Sequence, residues 1–338
     1  MLTKREEDIL KVIIGEYVST AAPVGSETIA RKYSFDISPA TIRNEMAHLE
    51  GEGYIIQPYH SAGRIPSEKG YRHYVETLMD NVELPQSEQC LIRHQFFQVA
   101  SDLEQWLGLG ATILSHLVHN IAIVTWPRAV EPRLKHLELV FLREFYALLI
   151  LILEEARLRQ QVITLAQAMS QEKLSNIAGR LSTAFVGLTT SQIRGKTLEL
   201  SPVEEQVVAA LVRMMQAEEE RVCEEPYVSG LRYTLGQPEF ASAERALAIT
   251  EVFEERDLLR SILPSLPVGE GLRVVIGKEN KEEMMHQCTV VLSCYGLPGE
   301  VTGVIGVLGP IRMHYERTVS AVRFLSTTMS QLVSGLYG

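Results

Sequence analysis

The sequence predicts an α+β protein with an N-terminal winged helix-turn-helix and a β-containing domain that a mainly helical segment interrupts. Three observations predict it. Three short helical patterns precede two short β runs that flank a Gly-containing loop, all within residues 3–66. Aliphatic, strand-like runs fill 121–165 and return at 272–308. Between them, residues 195–270 read mostly as helix, so the strand-rich part is split in sequence.

The first helix is expected over 3–18. Ile9, Ile13 and Tyr17 recur at i, i+4, i+8 beside Leu10 and Ile14, and Thr3 with Glu6 makes a capping box. Pro23-Val24-Gly25 breaks the chain, and Ser26 is expected to cap a second helix that reaches Tyr33 with Ile29 inward. A tight turn follows over 34–37. Ser38-Pro39 opens a third helix, with serine at the N-cap and proline at the first helical position, where its missing N–H costs nothing. Ile42, Met46 and Leu49 form its core face, and Gly51 or Gly53 ends it. Residues 54–57 read as a strand, 58–63 as a loop, Arg64-Ile65 as the returning strand and 67–79 as a fourth helix. Beyond Pro85, residues 87–120 read as one long helix. Strands are expected at 121–124, 134–142, 145–153 and 160–165. Helices are expected at 170–186 and 201–222, and a helical pattern at 227–264. Strands return at 272–276, 288–295 and 302–308, before a last helix at 313–336.

Composition bounds the function. The chain has 338 residues, 46% hydrophobic and 22% charged, which is globular rather than disordered. Its net charge of -10 runs against a strongly basic nucleic-acid binder. Residues 1–75, however, carry nine Lys/Arg against ten Asp/Glu, near neutrality, and acid is concentrated in 204–225. A DNA-facing patch must therefore come from clustering. The charged start MLTKREEDIL does not read as a signal peptide, and the longest aliphatic run, 146–153, is too short to span a membrane. A cytoplasmic protein with no membrane partner is expected. Cys90, Cys223, Cys288 and Cys294 have no metal-binding spacing and are expected to be reduced, buried thiols.

A helix fits the major groove, where its first turns present side chains to base edges. The outward face of the third helix carries Ser38, Ala40, Thr41, Arg43 and Asn44, with His48 further along. Arginine reads guanine O6 and N7 in bidentate fashion, asparagine reads adenine N6 and N7, and alanine or a threonine methyl meets the thymine methyl. The loop with Tyr59, His60, Ser61, Ala62, Gly63 and Arg64 is the candidate wing, with Arg64 and Lys69 as phosphate neutralisers. The same residue types also suit a solvated helix face in a module that binds only protein.

Enzyme signatures are missing. No G-x-S-x-G, P-loop or H-E-x-x-H occurs, and Gly108-Leu109-Gly110 lacks its third glycine because Ile113 stands there. His116 and His119, at i, i+3, suit a helix face or interface better than a metal. No cofactor and no catalysis are expected.

LTKREEDILKVIIGEYVSTAAPVGSETIARKY, SPATIRNEMAHLEGEGYI and PYHSAGRIPSEKGYRHYV near the N-terminus resemble the HrcA family, the heat-inducible transcription repressors of bacterial chaperone operons. VVIGKEN (274–280), CTVVLSCY (288–295), GVIGVLGPIRMHYERTVSAV (303–322) and PYVSGLRYTLGQPEF (226–240) extend the resemblance over nearly the whole chain. Ile311 and His314 depart from it, where smaller and acidic side chains are expected. The resemblance implies a homodimer that binds an inverted-repeat operator upstream of chaperonin operons, with activity coupled to the GroE chaperonin and lost on heating. It also implies a winged-helix domain at 1–80, a helical linker at 81–118, a GAF-like α/β domain at 119–194 and 271–338, and an inserted dimerisation domain at 195–270. A GAF-like domain raises one alternative, a regulator that senses a small effector over its sheet. The aliphatic strands there read as filled core instead.

Overall fold

A computed structural model describes residues 2–33, 38–60, 62–80, 83–99, 102–129, 133–153, 158–220, 226–254, 271–298 and 301–337. The first part of the chain runs α1 (Lys4–Thr20), α2 (Ser26–Lys32), α3 (Pro39–Gly51), β1 (Ile55–Ile56), β2 (Ile65–Pro66), α4 (Glu68–His73), α5 (Gln86–Gln98), α6 (Leu103–Val118) and β3 (Ile121–Val124). Next come β4 (Arg128–Ala129), β5 (Leu134–Arg143), β6 (Tyr146–Leu153), β7 (Leu158–Thr164), α7 (Gln171–Phe185), α8 (Thr190–Gly195) and α9 (Pro202–Glu220). The chain closes with β8 (Tyr227–Ser229), α10 (Leu231–Leu235), α11 (Ala243–Glu254), β9 (Leu272–Ile276), β10 (Cys288–Leu297), β11 (Val301–Pro310) and α12 (Tyr315–Tyr337). The protein is mixed α+β and divides into two compact units.

The first unit comprises 1–125, 225–295 and 304–332. Local chemistry starts α1 and α3 where expected. Thr3 Oγ1 accepts from the Glu6 N–H while Glu6 accepts from the Thr3 N–H, completing the capping box. Ser38 caps α3 ahead of Pro39. Ile9, Ile13, Ile29, Ile42 and Leu49 are fully buried, so α1, α2 and α3 share one core. Gly25, not Ser26, is the N-cap of α2, and it offers no side-chain bond. β1 and β2 pair antiparallel, Ile55 with Pro66 and Ile56 with Ile65. Ser67 caps α4, which runs on into a π turn over Tyr74–Leu78.

The larger sheet has the strand order β8-β3-β11-β10-β9. All four residues of β3 are buried and β10 is almost wholly so, as expected for strands covered on both faces. Helix α6 packs on β3 and β8. Gly110 of α6 lets α12 approach, since a Cβ there would sit 3.2 Å from Met329 Sδ.

The second unit comprises 126–224, 296–303 and 333–338. Here β5, β6 and β7 form an antiparallel meander. Burial along β6 alternates strictly: Ala147, Leu149, Leu151 and Leu153 face a core built with Leu174, Leu181, Val207 and Leu211 of α7 and α9. β4 pairs with the first residues of β11.

Several expectations need correcting. The strands at 134–164 were expected in one domain with those at 272–308, but they form a separate sheet. Their period-two burial shows why: a sheet with one covered face recruits its own helical layer, whereas β3 and β10 are buried throughout. Residues 226–254, expected in an inserted domain, belong to the first unit. Tyr227–Ser229 is an edge strand on β3 rather than helix, and Gly230 at φ 90 turns the chain after it. The expected long helix at 87–120 is two, because the Asp102 side chain caps a new start by accepting from the Glu104 N–H. Helix α8, with its Thr189/Gln192 capping box, was missed. Cys288 is buried, and burial pushes its thiol up to about 12. Cys294 is half-buried and Cys90 is exposed, against expectation. Cys223, the turn at 34–37 and residues 255–270 lie outside the described residues. No helix among the described residues is long and apolar enough to cross a membrane.

Candidate nucleic-acid interface

Helix α3 is positioned by its apolar side. Ile42, Met46 and Leu49 are buried against α1 and α2, which turns the opposite side outward. Ser38 Oγ accepts from the Thr41 N–H at 3.2 Å and lies 3.0 Å from Thr41 Oγ1. Ser38 and Ala40 are exposed and Thr41 is half-buried. Arg43 and Asn44 project into solvent, and among the described residues neither has a hydrogen-bond or ionic partner. The first turn of α3 carries no acidic residue, so nothing there opposes an incoming phosphate at the positive end of the helix dipole.

The acids further along α3 are already matched. Glu45 takes Arg5 at 3.3 Å, and Glu50 takes Arg64 through Nη2 at 2.8 Å and Nε at 3.0 Å. His48 contacts Glu6 of α1. The Glu6 carboxyl is held below the usual carboxylate range, chiefly by the Thr3 backbone N–H.

The loop between β1 and β2 lies beside this face. Tyr59 and His60 are exposed, whereas Ser61 lies outside the described residues. The base of the loop is locked to the segment before α2. Val24 and Arg64 exchange two backbone hydrogen bonds of 2.8 Å, and a Cβ on Gly63 would come within 2.6 Å of the Val24 backbone. A side chain at position 63 would break this closure.

Two expected phosphate neutralisers are placed differently. Arg64, expected as a phosphate neutraliser, has a side chain only 22% exposed and pairs with Glu50. Lys69 is exposed but bends back, donating to the Glu52 carbonyl at 2.6 Å with Nζ 4.2 Å from the centre of the Tyr54 ring.

The structure brings Arg43 and Arg64 to one cavity of about 470 Å³, shared with Ser26, Thr28 and Gly63. Ser26 and Thr28 at the start of α2 were not singled out from sequence. The Gly25-Ser26 helix start was the available signal. Exposed Arg31 at the end of α2 was also overlooked. A convex helix with an uncapped positive side chain beside a cleft can contact a polyanion from outside. Among the described residues no group of three or more metal-ligating side chains occurs. His116 instead lies 3.1 Å from the Tyr233 hydroxyl through Nδ1, and His119 packs edge-on to the same ring.

The family model described as HrcA protein C terminal domain matches residues 104–319. A heat-inducible transcription repressor HrcA of Dehalococcoides mccartyi strain 195 is 46% identical over 338 residues, covering 100% of this chain and 98% of that protein. The Roseiflexus castenholzii protein of the same name is 41% identical, covering 100% of this chain and 96% of its own length. Among solved structures, a hypothetical protein determined at 2.2 Å resolution superposes with a TM-score of 0.60 at 22% identity, covering 99% of this chain and 98% of that one, which supports the fold alone. The chain belongs to the HrcA family of heat-inducible transcription repressors.

Proposed function

We propose that this repressor is a homodimer that binds an inverted-repeat operator upstream of chaperonin operons. In this reading residues 1–80 are a winged helix-turn-helix, with α3 in the major groove and the loop 59–64 as its wing. One observation carries it: among the described residues Arg43 and Asn44 stand unpartnered on the outward side of α3, while the acids of that helix are neutralised within the chain. Arg43, Asn44 and Thr41 read bases, and Ser38 and Ala40 sit at the groove edge. His60, Ser61 and Lys69 follow the backbone. Arg64 shapes the wing through Glu50 and meets phosphate only at its margin.

An inverted repeat calls for a two-fold partner. Beside the segment 195–270 where the sequence pointed, the outer side of β5–β7 offers support for a dimer surface. Leu148 pairs with Val140 and Val162 across the strands, and Ile150 and Ile152 continue the stripe. Val162 is 53% exposed, and the others are half-buried. An apolar stripe of this kind on a sheet invites a second copy. The sheet next to α12, which the resemblance likens to a GAF domain, is filled core.

Coupling to the GroE chaperonin follows if repressor unfolded by heat competes for chaperonin, so that free chaperonin sets the active fraction. The test is a gel shift on a duplex with an inverted repeat. Retardation at moderate salt, with a two-fold stoichiometry, supports the reading. No retardation, with or without chaperonin, sinks it in favour of a protein-binding module.

A further inference from the structure

The N-terminal helices are tied to the rest of the first unit through α4. That helix packs against β9, with Tyr71 and Tyr74 on the Tyr315 ring and Arg72 paired with Glu279. A further tie lies at the end of α1. Arg312, between β11 and α12, donates through Nη1 to the Val18 carbonyl. A cleft of about 510 Å³ opens beside this contact, lined by Tyr17, Ile65 and Tyr71 of the N-terminal module and by Glu239, Gln287 and Ile311. The last carbonyls of a helix have no partner within it, and the negative end of its dipole favours a cation. The last turn of α1 carries no basic residue of its own, and Arg312 supplies one from 294 residues away. Glu239 accepts from Arg312 Nε at 2.5 Å and from Nη2 at 3.3 Å, and the arginine side chain is 14% exposed. A guanidinium forked onto a carboxylate in this way is an aimed arm rather than a loose charge.

We propose that Arg312 is a positioning residue for operator reading: through the end of α1 it fixes the angle at which the N-terminal module, and α3 with it, stands on the rest of the unit. This role rests on the reading of the protein as a dimer on an inverted repeat. A module held through α4 alone can swivel about that contact, and a second tie at α1 removes the swivel. The restraint on α1 reaches α3 directly, because Ile9 and Ile13 of α1 share a buried core with Ile42 and Leu49 of α3. In a two-fold dimer the spacing of the half-sites matches the separation of the two recognition helices. Two extra base pairs turn one half-site about 70° around the duplex, a change that a fixed module cannot follow and a swivelling one can. Glu239 acts one step further out, by aiming the guanidinium.

The test is a gel-shift titration of the full chain on three duplexes: the inverted repeat upstream of the chaperonin operon, the same repeat with two base pairs inserted at its centre, and a single half-site. Wild type is expected to lose roughly 100-fold on the insertion duplex, where both half-sites cannot be engaged at once. Arg312→Ala and Glu239→Ala are expected to bind the two repeats within about threefold of each other, and both more weakly than wild type binds the native repeat. On the single half-site they should match wild type. Arg312→Lys, which keeps one donor for Val18, should recover part of the spacing preference. A residue needed only for stability would weaken all three complexes alike, and that result overturns the proposal. So does a wild type indifferent to the insertion, or a full spacing preference kept in the variants. Circular dichroism checks folding, and if Arg312→Ala is unfolded, Glu239→Ala, which leaves the arginine in place, decides. A wild type that binds none of the duplexes sinks the operator reading and this role with it, whereas a wild type that binds and variants that share its preference sink this role alone.

Discussion

Arg43 and Arg72 stand on two helices of the same N-terminal module with opposite surroundings. Arg43 faces solvent from α3 with no partner among the described residues. Arg72, on α4, donates to both carboxylate oxygens of Glu279 and to the Val274 carbonyl at 2.8 Å, and its pKa is raised first by that Glu279 bond. Its neighbours are pinned in the same way. Tyr74 donates to Glu316 at 2.7 Å, Glu68 accepts from the Lys278 N–H at 3.3 Å, and Tyr71 packs on Tyr315 with ring centres 5.5 Å apart. The module thus spends its polar groups on one side to hold a position and leaves them unspent on the other. A residue type alone does not say which side it is on; the partner opposite does.

Four measurements break or sharpen that contrast. The largest effect is expected on the pinned side, from Tyr315→Ala. This buried ring lies 3.0 Å from Thr289 Oγ1 and 2.8 Å from the Ile311 carbonyl through its hydroxyl. Its removal should cost about 3–5 kcal/mol in urea denaturation, and a cost below about 1 kcal/mol would show that the two sides are not different in kind. On the open side, Arg43→Ala should weaken operator binding by roughly 1–3 kcal/mol in a gel-shift titration. Its stability should stay within about 0.5 kcal/mol of the parent, and equal loss on unrelated duplexes would make Arg43 a phosphate contact. Arg72→Ala should show the reverse pattern, about 1–2 kcal/mol of stability for a half-exposed charged pair. A double-mutant cycle with Glu279→Ala should recover a coupling of similar sign.

The smallest effect concerns pH. Glu16 is held below its ordinary 4.5, chiefly by Lys32 and then by the Tyr33 hydroxyl, against the opposing effect of burial. A carboxyl with a lowered folded pKa stabilises the fold above its unfolded pKa, and that contribution is lost as pH falls through the folded value. Thermal melts of Glu16→Gln should therefore fall off less steeply than wild type below pH 4.5, with a difference at neutral pH of no more than about 1 kcal/mol. A steeper acid slope in the variant would contradict this assignment.

Much of the candidate site's geometry was legible because the determinants of helix orientation are local. The Ser38 cap, Pro39 behind it and the i, i+4, i+7 spacing of Ile42, Met46 and Leu49 orient α3, and Arg43 and Asn44 then face outward as a matter of helix geometry. The pairing of Arg64 was not legible because its partner, Glu50, is on another element, 14 residues away. Basic residues in a glycine loop look available until the fold supplies a carboxylate. The sheets were misassigned for a similar reason. Strand patterns at 134–164 and 272–308 are alike in composition, and only pairing separates a meander closed on itself from strands that cross to β3.

Sequence by itself determined where α1 and α3 begin, which of their faces are apolar, and the family to which the chain belongs, because caps and helical periods act over three or four residues. Tertiary structure alone decided which charges remain free, which strands share a sheet, and where the cleft beside Tyr71 opens. Those outcomes depend on groups brought together from distant positions, as when Arg72 meets a carboxylate 207 residues further along the chain, and no local pattern encodes such a meeting.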